Sequence, residues 1–352
     1  MMSHPDFVFS DLFNNYDEKE ELKKDLEEEI LDPKNSRLVI LPIDPRFEKL
    51  WLSYENYEKA FWTSHEVKLA DDKYDYNKLD PNIQHFIKMT FAFFAGADSI
   101  VNENIEINFS KITIREAKVA YAFQEMMENI HGQVYANMLS NIIEDKEERL
   151  NLIDAFKTIR PIKLMIDWAQ KWIKSGRRIA FSVAAFTIFE GLMFSGSFAS
   201  IYWLKQYLGD NRMKGLVQAN NLIAKDEGMH TVFGCEMYSY IKHKLSKEEM
   251  NAMMSEAVII SKIFIKDAIK VDMIGMNVKL MDQYIEYVAD RLLLSLKYDI
   301  IYNTKIPDQF QFMDTIGFLN KDNFFDKRPT EYQRANNSKN VATNEFKLLE
   351  DY

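Results

Sequence analysis

Glu128-Asn129-Ile130-His131 and Glu227-Gly228-Met229-His230 repeat one pattern, a carboxylate followed three residues later by an imidazole. Residues three apart lie on one face of a helix, so each pair can hold one ion. Around the pairs, Gln124, Glu128, His131, Tyr135 and Met138 form one stripe at helical spacing, and Ile223, Glu227, His230, Gly234, Met237 and Ile241 form another. Two further acids stand alone in apolar sequence. Asp98 is the single charge between Lys88 and Glu103, and Glu190 the single charge between Arg178 and Lys205. A buried carboxylate without a partner costs several kcal/mol or takes up a proton, so isolated acids in apolar helices need a counter-charge. A pair of metal ions serves all six side chains, and the order along the chain supports it: a lone acid then Glu-x-x-His, twice.

The helical frame follows from what is missing. Pro161 is the only proline between residues 82 and 306, and apolar residues recur there at helical spacing with no run of alternating β-branched residues. The spacing predicts helices near 46–60, 82–107, 112–143, 161–174, 178–207, 212–242, 247–271 and 275–298. Pro161 suits a first helical turn, and Ser246 with Glu249 suits a capping box. The fold class is therefore all-α, a helical bundle built around a di-metal carboxylate site. The termini differ from this middle. Residues 17–29 are a run of charge expected as a solvated helix or a disordered arm. Residues 333–345 are too polar to fold alone, and Phe346-Lys347-Leu348-Leu349-Glu350-Asp351-Tyr352 follows them as an apolar, acidic end on a polar tether. We divide the chain into an acidic arm (1–37), the helical di-metal domain (38–325) and a flexible tail (326–352).

Bulk properties narrow the function. A formal charge of −10 argues against a nucleic-acid-binding surface. The single cysteine, Cys235, excludes an internal disulfide framework and suits a reducing compartment. The N-terminus lacks the basic and apolar regions of a secretory signal, so a cytoplasmic location is expected. Residues 179–204 are long enough to span a membrane, but they carry Glu190 and several serines and have no companion span, so a buried helix is the expectation.

A single Glu-x-x-His is a weak signal, because the spacing arises often by chance; two of them joined to two lone acids are a strong one. The pattern resembles the di-iron and di-manganese carboxylate proteins of the ferritin-like bundles, with Asp98 at a place where glutamate is usual. Oxygen-rich ligation with only two imidazoles suits two iron ions, or manganese, better than zinc or copper. His4, His65, His85 and His243 lack that context and receive no role. Tyr135 lies one turn beyond His131, in a neighbourhood expected to include Phe194, Phe198 and Ile223. A core tyrosine is ordinarily a packing residue. Beside an oxygen-activating metal pair in a dry pocket, its phenol could instead be held as a radical.

At these residues the chain resembles the small, radical-generating subunit of class I ribonucleotide reductase, in its eukaryotic-type branch. The resemblance covers about residues 38–335 and includes Ala-Phe-Trp-Thr (60–63), Asp-Ser-Ile-Val-Asn-Glu-Asn (98–104), Glu-Asn-Ile-His (128–131), Phe-Ser-Gly-Ser-Phe (194–198), Lys-Asp-Glu-Gly-Met-His (225–230), Gln-Tyr-Ile-Glu-Tyr-Val-Ala-Asp-Arg (283–291) and Glu-Tyr-Gln-Arg (331–334). It implies metal ligation by Asp98, Glu128, His131, Glu190, Glu227 and His230, and a radical at Tyr135. It also implies long-range transfer through Trp62, Asp226, His131 and Tyr332 to a separate large subunit that reduces ribonucleotides. Docking of the last residues on that subunit, and a homodimer or heterodimer of small subunits, are implied in the same way. For Trp62 and Asp226 the ordinary alternatives are a packed indole and an acid that orients a ligand histidine.

Several positions depart from the family pattern. Lys225 stands where arginine is common, Gly132-Gln133 where Ser-Glu is common, residues 174–186 lack the usual Glu-Arg pair, and the chain ends in tyrosine where phenylalanine is usual. None removes a ligand. Two other functions stay open on sequence: a divergent second small subunit with a structural or regulatory role, and another di-iron carboxylate oxidase. The full ligand set argues against a structural or regulatory role, and a stable tyrosyl radical would speak against the oxidase.

Overall fold

A computed structural model gives the architecture of the protein and describes residues 16–311 and 313, apart from 108, 174, 175, 210 and 270–275; of 98, 99, 156, 268 and 269 it describes the backbone alone. Tyr332, the 326–352 tail and the first residues of the arm lie outside the described residues. Among the described residues there is no strand. The chain runs through α1 (Glu18–Leu26), α2 (Glu48–Ala60), α3 (Asp72–Tyr76), α4 (Pro81–Ile107), α5 (Arg115–Ile142), α6 (Lys146–Ile153), α7 (Ala155–Thr158), α8 (Arg160–Ile173), α9 (Ile179–Ile188), α10 (Ser195–Leu208), α11 (Lys214–Ser239), α12 (Lys247–Ile263) and α13 (Val278–Ser295). Each of the eight spans read from the sequence is occupied by helix. The short α3, α6 and α7 lie outside them, because each is too short or too charged to carry apolar periodicity; α6 starts from an Asp145 cap that accepts the Glu148 N–H at 2.7 Å. Ser246 and Glu249 do form the capping box of α12, and Pro161 sits in the first turn of α8.

Long α5 packs along α4 and α2, while α11 packs along α9, α2 and α5, so the two Glu-x-x-His helices meet inside the bundle. The apolar 178–207 segment is not one regular helix. Between α9 and α10 it passes through a π-helical turn, Phe189–Met193, which holds Glu190; such turns insert one residue into the helical register and are frequent at functional sites. Two glycines set the distance to α11. A Cβ on Gly191 would stand 2.7 Å from Thr231 Cγ2, and one on Gly234 would stand 2.4 Å from Thr187 Oγ1. Neither position has room for a side chain, and this close crossing brings Glu190 beside Glu227. Residues 179–202 are all buried in the bundle, as expected for a core helix.

The charged run at residues 17–29 is helical over α1, but one face is seated where full solvation was expected. Buried Glu21 accepts from Arg178 Nη1 at 2.8 Å, Asp25 accepts the Ile179 N–H at 2.8 Å, and Glu28 accepts the backbone N–H groups of Lys242 and His243. The Arg177-Arg178 pair thus finds its carboxylates in α1 and in Glu249.

Candidate metal centre

Helix α5 delivers Glu128 and His131, α11 delivers Glu227 and His230, and the π-helical turn delivers Glu190, all of them buried. Donor atoms of Glu128, Glu190, Glu227 and His230 lie within 4.8 Å of one another. The two Glu-x-x-His pairs interlock. His131 Nδ1 is 3.1 Å from Glu128 Oε2 on its own helix and 3.2 Å from Glu227 Oε1 on the other. His230 Nδ1 is 3.0 Å from Glu227 Oε2 and 2.9 Å from Glu128 Oε1. Asp98 lies on α4, which packs against α5; its side chain is outside the described residues.

These residues fit a metal pair. An imidazole nitrogen carries one proton and points it along one direction, yet each Nδ1 faces two carboxylate oxygens. The cross-helix oxygens, Glu128 Oε1 and Glu227 Oε1, are in reach but off the hydrogen-bond direction and find no other hydrogen bond. A cation at each Nδ1 would take both oxygens without that conflict, and hard oxygen donors with one nitrogen suit iron or manganese. Gln124, one turn before Glu128, donates from Nε2 to Glu190 Oε1 at 3.3 Å and so orients that carboxylate. Its place on the α5 stripe was legible in the sequence, but its partner lies in a distant segment.

With protons as the only cations, the electrostatics of the centre are lopsided. Burial disfavours charge on His230, but Glu128 and Glu227 outweigh it and raise its pKa from 6.5 to about 10. Burial opposes charge on His131 too, and Asp226, Glu128 and Glu227 lift it well above the usual imidazole range. Glu227 is desolvated, yet the hydrogen bond with Glu190 and the two imidazoles hold its carboxyl well below the usual range. Metal ligation needs neutral imidazoles, so loading must expel these protons. The sign follows: below about 10 the His230 proton is held by the protein and competes with the metal, so affinity rises with pH up to about that value. Anaerobic manganese(II) titration in weak buffer should release at least about two protons per metal pair, one per imidazole. Metal uptake without proton release would show that these imidazoles are not the ligands.

The remaining sequence-read residues sort clearly. Asp226 Oδ2 accepts from Trp62 Nε1 at 2.7 Å and lies 3.0 Å from His131 Nε2. The Trp62 and His131 rings are stacked, 5.8 Å between centroids at 16°. Trp62, Asp226 and His131 are therefore one connected unit. Tyr135 is buried, and its ring stacks on Phe94 at 4.8 Å with Phe91 tilted at 6.4 Å. Phe94 stacks in turn on Phe198 and tilts against Phe194. Sequence reading placed Phe194 and Phe198 near the phenol but missed Phe94, which lies one turn before Asp98 on α4. The buried phenols of Tyr57 and Tyr121 also went unnoticed. Tyr57 meets His230 edge-on at 5.6 Å, and Tyr121 stacks on Phe109 at 4.3 Å. Burial pushes both well above the usual phenol range.

Comparison with known proteins gives the same answer along most of the chain. Residues 37–309 match the family described as ribonucleotide reductase, small chain. The ribonucleoside-diphosphate reductase small chain of Plasmodium falciparum is 41% identical over 313 residues, covering 89% of this chain and 88% of that one. Subunit M2 of Rattus norvegicus is 41% identical over 337 residues, covering 94% and 84%. Among solved structures, the Rnr4 homodimer of Saccharomyces cerevisiae superposes with a TM-score of 0.75 at 30% identity, covering 83% of this chain and 92% of that one. An all-helical bundle whose two Glu-x-x-His helices close on a buried carboxylate cluster, matched along 37–309 by one family, leads to a single conclusion: the chain belongs to the ribonucleotide reductase small-chain family.

Proposed function

We propose that this ribonucleoside-diphosphate reductase small chain holds a di-iron centre, with manganese as the other candidate metal. Asp98, Glu128, His131, Glu190, Glu227 and His230 would together hold the two ions. The observation that carries this is the interlock, in which each Nδ1 faces one carboxylate oxygen from its own helix and one from its partner. When bound, the metal pair supplies oxidising power drawn from dioxygen. Tyr135 gives up an electron and a proton and stores the resulting radical, and the phenylalanines around its ring exclude the water and reductants that would quench it. Trp62, Asp226 and His131 form the inner part of the transfer route, where the carboxylate fixes the indole N–H and the imidazole together. Tyr332 continues the route towards the large subunit.

Residues 346–352 dock on that large subunit, which takes up the oxidising equivalent and reduces ribonucleotides. The solved homodimer of the yeast relative supports a two-copy assembly, and the lone, half-buried Cys235 suits the reducing cytoplasm. The deciding measurement is electron paramagnetic resonance of protein loaded with ferrous iron and exposed to oxygen. A long-lived tyrosyl signal is expected, and iron oxidation that leaves no such signal would overturn the radical role. A synthetic peptide of residues 346–352 should compete with the intact chain for the large subunit and inhibit turnover; association untouched by excess peptide would move the docking to the folded surface.

A further inference from the structure

The second ligand imidazole has its own aromatic line to the surface. Tyr57 stands edge-on to His230 at 5.6 Å, Phe123 is 5.8 Å from Tyr57, Tyr54 is 6.0 Å from Phe123, and Trp51 is 4.9 Å from Tyr54. The line leaves the centre through α2 and does not pass through Trp62, which stacks on the other imidazole, His131. Its two tyrosines differ in one decisive respect. The Tyr57 hydroxyl is buried and makes no hydrogen bond to protein, so nothing beside it accepts its proton. The hydroxyl of half-buried Tyr54 donates to Glu58 at 2.5 Å, on the exposed side of α2. A phenol loses an electron readily only where its proton has somewhere to go, so an oxidising equivalent leaving the centre comes to rest at Tyr54. Packing of α2 on α5 explains the rings of Tyr57 and Phe123, but it does not call for an oxidisable phenol beyond Phe123 with its own base.

We propose that Tyr57, Phe123 and Tyr54 form an exit line by which an oxidising equivalent not captured at Tyr135 is discharged to the surface of α2. This rests on the metal reading given above. One electron moves from Tyr54 along the ring contacts to the oxidised metal pair, which is reduced by one; the Tyr54 proton moves to the Glu58 carboxylate, and the O–H bond is the bond broken. The phenoxyl so formed is returned to the phenol by a diffusible reductant of the ascorbate class, which supplies one hydrogen atom.

The test uses the full chain with Tyr135→Phe, loaded with ferrous iron, exposed to oxygen and freeze-quenched. A short-lived tyrosyl signal is expected; it should be lost when Tyr54→Phe is added and weakened by Glu58→Gln. In the otherwise unaltered protein, Tyr54→Phe should raise the yield of the Tyr135 radical per iron pair oxidised. Tyr54 is half-buried at the surface, so its substitution by phenylalanine leaves the core intact, which a melting curve checks. A transient signal that persists without Tyr54, or iron oxidised with no organic radical in the Tyr135→Phe protein, would overturn the exit line and leave the metal centre standing. Failure to take up iron at all would end both, and metal content reports that separately.

Discussion

Tyr135→Phe is expected to bind the same amount of metal as the parent protein, lose the long-lived radical, and reduce nucleotides with the large subunit only at background. The ring keeps its stack on Phe94 and its contact with Phe91, so stability should change by no more than about 1 kcal/mol, the usual net worth of one hydroxyl hydrogen bond. What disappears is the one group in that pocket able to lose an electron together with a proton. Metal analysis, paramagnetic resonance and turnover on one preparation separate the outcomes. Undiminished turnover would place the working radical on another residue; loss of metal would mean that the substitution had disturbed the centre itself.

Asp226→Asn should be the next most damaging change, with turnover down roughly 10- to 100-fold, the range found when a residue supporting a metal ligand is altered. One oxygen, Asp226 Oδ2, serves both the Trp62 N–H and His131 Nε2. Asparagine keeps the shape and can still offer an oxygen there, but it removes the negative charge that helps hold His131 protonated. The radical at Tyr135 should still form, because neither the phenol nor the carboxylate ligands change, and transfer out of the small chain should fail. Parent-like turnover with a parent-like radical would remove the Trp62–Asp226 link from the route. Trp62→Phe, which deletes the same hydrogen bond from the other end, should give the same split between an intact radical and lost turnover.

The exposed aromatic end of α2 and the arm of α1 show where sequence reasoning stopped. Tyr57 and Tyr54 look like ordinary amphipathic-helix residues until α2 is laid against α5 and α11. The acids of residues 17–29 look solvated until Arg177 and Arg178 are placed beside Glu21. In both cases the partner lies in a distant segment, and nothing in local spacing points to it.

The helical spans, the inward face of each Glu-x-x-His pair and the isolation of Glu190 and Asp98 were fixed by the sequence alone. They depend on periodicity and composition within one segment, where the physics is local: a 3.6-residue repeat, the absence of proline, and the cost of a lone charge in apolar surroundings. How the pairs cross was decided only by the tertiary structure. The cross-helix approach of each glutamate to the opposite imidazole, the bond from Gln124 to Glu190, and the stacking of Phe94 on Tyr135 all join residues from different helices. So does the close passage of Gly191 against Thr231 and Gly234 against Thr187, which sets the spacing of the centre. Helix-to-helix distance is set by side-chain volume at the crossing points, and a crossing point exists only once two segments have been brought together.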